Sequence, residues 1–132
     1  MNGSKAVEDK IKTHKDLNVW KDAMTLALLT YQYTETFPKQ ETYGLTSQMR
    51  RASVSIPSNI AEGAGRGHKK ELIQFLNIAK GSIAELETQA LLAHALAYLN
   101  QGEIEKITNQ ITLVRKQLIS LIKTQINSFS KN

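Results

Sequence analysis

Apolar residues recur along most of this chain at intervals of three and four, the spacing that lays them on one face of an α-helix. The pattern predicts four helices. The first opens with Asp16 in N-cap position and carries Trp20, Met24, Ala27, Leu28 and Tyr31 toward Phe37, where Pro38 stops it. A turn over Lys39 to Thr42 leads to the second, whose apolar residues Leu45, Met49, Ala52, Ile56 and Ile60 are spaced 4, 3, 4 and 4. Pro57 lies inside it and predicts a kink, with the Asn59 amide placed to satisfy backbone that the proline frees. Gly63, Gly65 and Gly67 are expected to end it. A third helix runs from about His68 to Leu99 through Leu72, Phe75, Leu76, Ala79, Ile83, Leu86, Ala90, Ala93 and Leu96. After the turn Asn100-Gln101-Gly102, the fourth shows Ile104, Ile107, Ile111, Val114, Leu118 and Leu121, the alternation of a bundle seam.

At 1.5 Å per residue the helices come to roughly 30, 30, 48 and 40 Å, and connections this short force antiparallel neighbours. The expected fold is therefore all-α, an antiparallel up-down-up-down four-helix bundle with a kinked second helix. A polar leader over residues 1–15, a single bundle domain over 16–129 and a tail over 130–132 complete the organisation. No strand-like alternation, internal repeat or low-complexity segment interrupts it.

Three stretches have no charge: Ala23 to Thr34, Ala52 to Ala61, and Thr88 to Gly102. A lone small bundle normally shows a charged outer face on every helix, so these predict a partner, most simply another copy of the chain. The fourth helix carries a second apolar row, Ile119, Ile122, Ile126 and Phe129, which is either a subunit contact or the edge of a wide core stripe. On a wheel of the second helix, Gln48, Arg51, Ser55, Ser58 and Glu62 form a polar strip. Arg50, Val54, Pro57 and Ala61 form a face of small apolar groups that is the candidate subunit contact.

The 132 residues are enough for one core without staples, and with no cysteine there can be no disulfide, thiolate metal site or cysteine nucleophile. The longest uncharged stretch is too short and too polar to span a bilayer, and the charged first residues do not read as an export signal. A cytoplasmic protein is expected. His14, His68 and His94 are isolated, no Glu-x-x-His pair builds a di-iron site, and no nucleophile elbow occurs, so neither catalysis, metal nor cofactor is expected. His94 reads as a packed or interface histidine.

Charge is more informative. The net charge is +5, and between Arg50 and Lys80 six basic residues face two acidic ones, placing +4 on the second helix, its glycine-rich end and the start of the third. Such a patch attracts phosphate backbones without reading sequence. Arg50, Arg51, Arg66, Lys69 and Lys70 are the candidate nucleic-acid contacts; Arg51 could instead be held by Glu62, which is also spaced to pair with Arg66. Aromatic residues are few and sit at core spacing, so affinity is expected to come from charge rather than base stacking. The run Glu62-Gly63-Ala64-Gly65-Arg66-Gly67-His68-Lys69-Lys70 has the glycines of a phosphate loop, but a helix and not a strand precedes it, and a helix C-cap followed by the first turn of the next helix is the better explanation.

Three segments carry a family likeness: Asp16-Leu17-Asn18-Val19-Trp20-Lys21, Phe37-Pro38, and the long run from Tyr43 through Gln48-Met49-Arg50-Arg51-Ala52 and Ile56-Pro57-Ser58-Asn59-Ile60-Ala61-Glu62-Gly63. They resemble the four-helix bundle proteins encoded in the intervening sequences of bacterial 23S ribosomal RNA genes. The likeness continues through Arg66, Glu71, Phe75, Ile78 to Ser82 and Glu85 to Gln89, covering about Asp16 to Leu99. Trp20, Pro57, Asn59, Glu62 and Gly63 are its motif residues. The resemblance implies a homopentamer without enzymatic activity and a role in binding nucleic acid such as structured rRNA. A more distant similarity to accessory proteins of diversity-generating retroelements implies the alternative, a protein-recruiting scaffold or accessory subunit for a nucleic-acid enzyme such as a reverse transcriptase.

Overall fold

A computed structural model describes residues 13–130 of the chain. Most of the expected leader, and residues 131 and 132 of the tail, lie outside the described residues. Four helices follow one another: α1 (Asn18–Thr34), α2 (Leu45–Gly65), α3 (Lys69–Ala95) and α4 (Gln101–Ser130). Short 3-10 turns at His14–Asp16 and Lys39–Glu41 precede α1 and α2. Helices adjacent in sequence pack together, α1 also packs on α4, and neither diagonal pair meets, which is the expected up-down-up-down bundle.

The core follows the predicted faces on α2 and α4. Met49, Ile56 and Ile60 are wholly buried in one core cluster with Leu76, Ile83 and Leu86 of α3 and Ile107, Ile111 and Leu118 of α4. Each such side chain contributes about 1.5 to 3 kcal/mol of apolar burial. On α4 the second row divides, with Ile122 buried and Ile119, Ile126 and Phe129 exposed. Among the described residues no helix is long and apolar enough to cross a membrane.

On α1 the structure corrects the reading. Its buried face is Val19, Ala23, Leu26, Ala27, Thr30, Tyr33 and Thr34, while Met24, Leu28 and Tyr31 face outward. Two threonines concealed that face from a hydrophobicity pattern. Thr30 Oγ1 donates to the Leu26 carbonyl at 2.9 Å and Thr34 Oγ1 to the Thr30 carbonyl at 2.7 Å, so each hydroxyl is satisfied within its own helix and its methyl packs inward. Nor does the N-cap position of α1 fall at Asp16. Leu17 takes the N-cap position in extended backbone, with no side-chain cap.

The two ends of the bundle are closed differently. At the end holding the α1–α2 and α3–α4 connections, Glu41 makes two bonds: Oε1 accepts the Leu45 backbone N–H at 3.0 Å and Oε2 accepts the Tyr98 hydroxyl at 3.0 Å. The buried Phe37 ring lies 5.3 Å from that of Tyr98. Helix α3 stops at Ala95, short of the expected Leu99, because Ala97 adopts a left-handed φ of 65°. Tyr98 N–H then reaches the Ala93 carbonyl at 2.8 Å and Ala97 N–H the His94 carbonyl at 2.9 Å, a Schellman cap with alanine where glycine is usual. His94, half-buried, places Nδ1 3.0 Å from the Leu99 carbonyl. Asn100 and Glu103 exchange side-chain to backbone bonds at 2.8 and 2.9 Å, a capping box that starts α4.

At the opposite end α2 does not stop at Gly63. The helix continues to Gly65, and the chain turns at Gly67, whose φ of 77° a side chain would disfavour. Gly63 is buried where α2 and α3 converge. A Cβ there would lie 2.8 Å from Phe75 Cβ and 3.3 Å from Leu72 Cδ1, so the missing side chain sets how closely the helices approach.

Candidate nucleic-acid interface

The five basic candidates fall into two groups separated by most of the length of α2. Arg50 and Arg51 stand near its start, whereas Arg66, Lys69 and Lys70 stand at the α2–α3 joint, about 22 Å away at 1.5 Å per residue.

At the joint, Arg66 is already engaged. It pairs with Glu62 at 3.2 Å and Glu71 at 4.0 Å and lies 5.1 Å over the Phe75 ring. The expected Glu62–Arg66 pair is therefore present, and Glu71 in the first turn of α3 supplies a carboxylate where the phosphate-loop reading would put an anion. Lys69 reaches across to α4, with Nζ donating to Ser128 Oγ and lying 5.9 Å over Phe129. Lys70 is exposed and, among the described residues, pairs with no carboxylate; nor do Lys80 and Lys123, which flank an apolar groove of about 220 Å³ lined also by Ile119, Ile122 and Ile126.

Arg50 serves the fold. Its Nε donates to Thr34 Oγ1 at 2.9 Å, its guanidinium meets Glu35 at 3.3 Å, and it covers the Tyr31 ring at 4.7 Å, tying the end of α1 to the start of α2. Arg51 does none of this. With Glu62 committed to Arg66, Arg51 projects into a groove between α2 and α3 without an ion-pair partner among the described residues, and the expected alternative of a pair with Glu62 is not made.

The motif residues are structural. Trp20 is half-buried rather than central: its ring meets His14 edge-on at 5.0 Å and borders a groove with Met24, Val54, Pro57 and Ala61. Pro57 is buried, and α2 continues through it. The small-residue face thus already meets α1 in part, leaving that groove as its open remainder. Asn59 acts otherwise than expected. Its amide donates to the Ser55 carbonyl at 2.8 Å and Ser55 Oγ at 3.0 Å, not to the carbonyl of Ser53 that Pro57 leaves without its helical donor. Ser55 Oγ in turn bonds Ser82 Oγ at 2.9 Å, joining α2 to α3.

Two features escaped the sequence reading. Tyr43 is 96% exposed beside Arg50 and Arg51, an available aromatic face where stacking was not expected. In the α2–α3 groove, Arg51 is joined by Gln48, Glu85 and Gln89. Glu85 enters the sequence reading only within the stretch that carries the family likeness, whereas Glu87 pairs with Arg115 of α4 at 2.6 Å. Among the described residues no three metal-ligating side chains gather.

Comparison with known proteins gives this arrangement its relatives. The family model for the 23S rRNA-intervening sequence protein matches residues 15–120. A crystal structure of a protein of unknown function from the S23 ribosomal protein family of Bacteroides thetaiotaomicron superposes with a TM-score of 0.72 at 28% identity, covering 80% of this chain and 95% of that one. No curated protein matches, and nothing in these comparisons supports the likeness to retroelement accessory proteins. By a match that spans most of its length, the chain belongs to the 23S rRNA-intervening sequence protein family.

Proposed function

We propose that this protein is a non-catalytic, cytoplasmic homo-oligomer that binds structured RNA through its basic surface. The observation that carries the reading is the excess of basic over acidic side chains between Arg50 and Lys80, where, among the described residues, Arg51, Lys70 and Lys80 form no ion pair and Lys69 meets a hydroxyl and an aromatic ring. Cations left free in such a patch release counterions when a phosphate backbone displaces them. Self-association is supported by apolar groups facing outward, among them Leu28, Leu92, Leu96, Ile119 and Phe129. A ring of five, which the family likeness implies, would repeat the basic surface and raise a weak site by avidity.

Two measurements test the reading. Light scattering should give a mass of about 74 kDa, five copies of 14.8 kDa; a mass near that of one copy defeats self-association. Binding to a structured RNA should weaken steeply with salt, and replacing Lys69, Lys70 and Arg66 together by Gln should lower both affinity and salt slope. Unchanged affinity and slope in an intact oligomer would remove the joint from the interface. A second reading, a scaffold that recruits an acidic protein partner, is favoured by the apolar groove between Lys80 and Lys123. A protein that binds no RNA at any salt, yet captures an acidic amphipathic helix in that groove, would belong to it.

A further inference from the structure

The groove between α2 and α3 combines features that no fold requirement explains. It has a volume of about 520 Å³ and is lined by Gln48, Arg51, Ala52 and Ser55 of α2 and by Glu85 and Gln89 of α3. Arg51 and Glu85 carry opposite charges and face the same space, yet among the described residues they form no ion pair with each other or with any other group. Gln89 is 9% exposed, and its Oε1 accepts no hydrogen bond. A buried amide oxygen without a donor costs about 1 to 3 kcal/mol unless something supplies one. The groove therefore offers a donor fork on one wall and, on the other, the Glu85 carboxylate and the Gln89 amide oxygen.

We propose that this groove is a base-reading site for guanine in unpaired RNA, a reading that rests on the RNA-binding function above. Guanine presents the complementary arrangement. O6 and N7 are adjacent acceptors that match a guanidinium fork, and N1–H and the N2 amino group are adjacent donors that match a carboxylate. Adenine, cytosine and uracil each place an acceptor on the edge that would meet Glu85. Both edges of guanine are open only where the base is unpaired, as in loops and bulges. Gln89 Oε1 adds a third acceptor for an amino hydrogen. Arg51 and Ser55 also border the neighbouring groove lined by Tyr31 and Tyr43, so an exposed ring is available to stack the adjacent base. The lysines of the joint, more than 20 Å along α2 by the helical rise, would hold flanking phosphates.

The test uses the full-length protein and a fluorescent RNA hairpin whose loop carries one guanine among adenines, beside hairpins with adenine or inosine at that position. Inosine retains O6, N7 and N1–H but lacks the amino group. Guanine should bind about tenfold or more tighter than adenine, the discrimination typical of a bidentate base contact, with inosine between them. Glu85→Gln should abolish the preference for guanine over adenine. Arg51→Gln, in a side chain that supports nothing else, should do the same with a small added loss from charge. Equal binding of the guanine and adenine loops would overturn this site and leave the RNA-binding function standing. Where no hairpin binds at any salt, the RNA-binding function falls, and guanosine 5′-monophosphate replaces the hairpins as the probe. Shifts of the Gln89 amide resonances that Glu85→Gln abolishes would then support the site, and their absence would overturn it. If either substitution changes the oligomer mass, the groove is a subunit contact and the proposal fails.

Discussion

One end of the bundle is finished by the chain itself, and the other is left open. At the connection end, Glu41 caps α2 and holds Tyr98, Phe37 packs on Tyr98, a Schellman cap ends α3 and a capping box begins α4. At the joint end, the main structural device is an absence: the hydrogen atom of Gly63 lets α2 and α3 converge. Around it stand Lys69 and Lys70 with no carboxylate and Phe129 with its ring exposed. Groups that satisfy one another stabilise a fold but are closed to a partner, whereas unneutralised charge and uncovered apolar surface are available to one. The contrast sets an end closed for stability against an end whose joint lysines stand open to a partner, with the groove proposed for guanine lying nearer the closed end, and substitutions at the two ends should sort accordingly.

The largest effect is expected at the connection end. Phe37→Ala removes a buried ring that bridges the α1–α2 connection to Tyr98, and truncations of this kind cost about 3 to 5 kcal/mol. Urea unfolding should show it directly, while the salt dependence of RNA binding stays as in the parent protein. Next comes Gly63, at the joint end. Gly63→Ala would gain helix propensity of about 1 kcal/mol. The new methyl must nevertheless displace Phe75 Cβ, which is anchored to backbone, so overpacking of about 1 to 3 kcal/mol should prevail. A melt at or above the parent temperature would show that the close approach is not needed.

How much of this was legible in the chain differs by element. The α2 and α4 faces could be read because their core positions are aliphatic and their flanks polar, so one spacing stands out. On α1 apolar residues surround the helix and two core positions are threonines, whose hydroxyls are satisfied internally; the pattern then favoured Met24 and Tyr31, which face outward. Gly63 was visible as a glycine but not as a contact, since its reason lies in Phe75, twelve residues on. The base-reading groove depends on the register between α2 and α3, and no spacing within either helix brings Arg51 to Glu85. Composition located the excess charge but could not divide it between residues tied to carboxylates, such as Arg50 and Arg66, and those left open.

A smaller effect, of opposite sign, sharpens the contrast at the connection end. Ala97 holds a left-handed conformation that costs a side chain about 1 to 2 kcal/mol, a cost glycine avoids at some expense in unfolded-chain entropy. Ala97→Gly should therefore stabilise the protein by up to about 1 kcal/mol. Placed at the joint, where Gly67 already takes the left-handed turn, the reverse change Gly67→Ala should destabilise by a similar amount without touching the connection end.

The smallest expected effect is a dependence on alkaline pH that belongs to one end alone. Tyr98 is held above its ordinary value first by the hydrogen bond to Glu41, with burial and the carboxylate charge adding to it. Burial raises Tyr33 likewise, helped by the charge of Glu103. In both cases the folded state favours the protonated phenol over the ordinary value near 10. Their contribution is thus complete below about pH 10 and is lost as pH rises through the folded-state values, since the unfolded chain releases those protons first. Unfolding free energy measured from pH 8 to 11 should hold level and then decline. Glu41→Gln keeps a hydrogen-bond acceptor for the Tyr98 hydroxyl but removes the charge, and should flatten that decline. If the triple replacement of Arg66, Lys69 and Lys70 flattened it instead, the alkaline dependence would belong to the joint, and the assignment of stability to one end and binding to the other would be wrong.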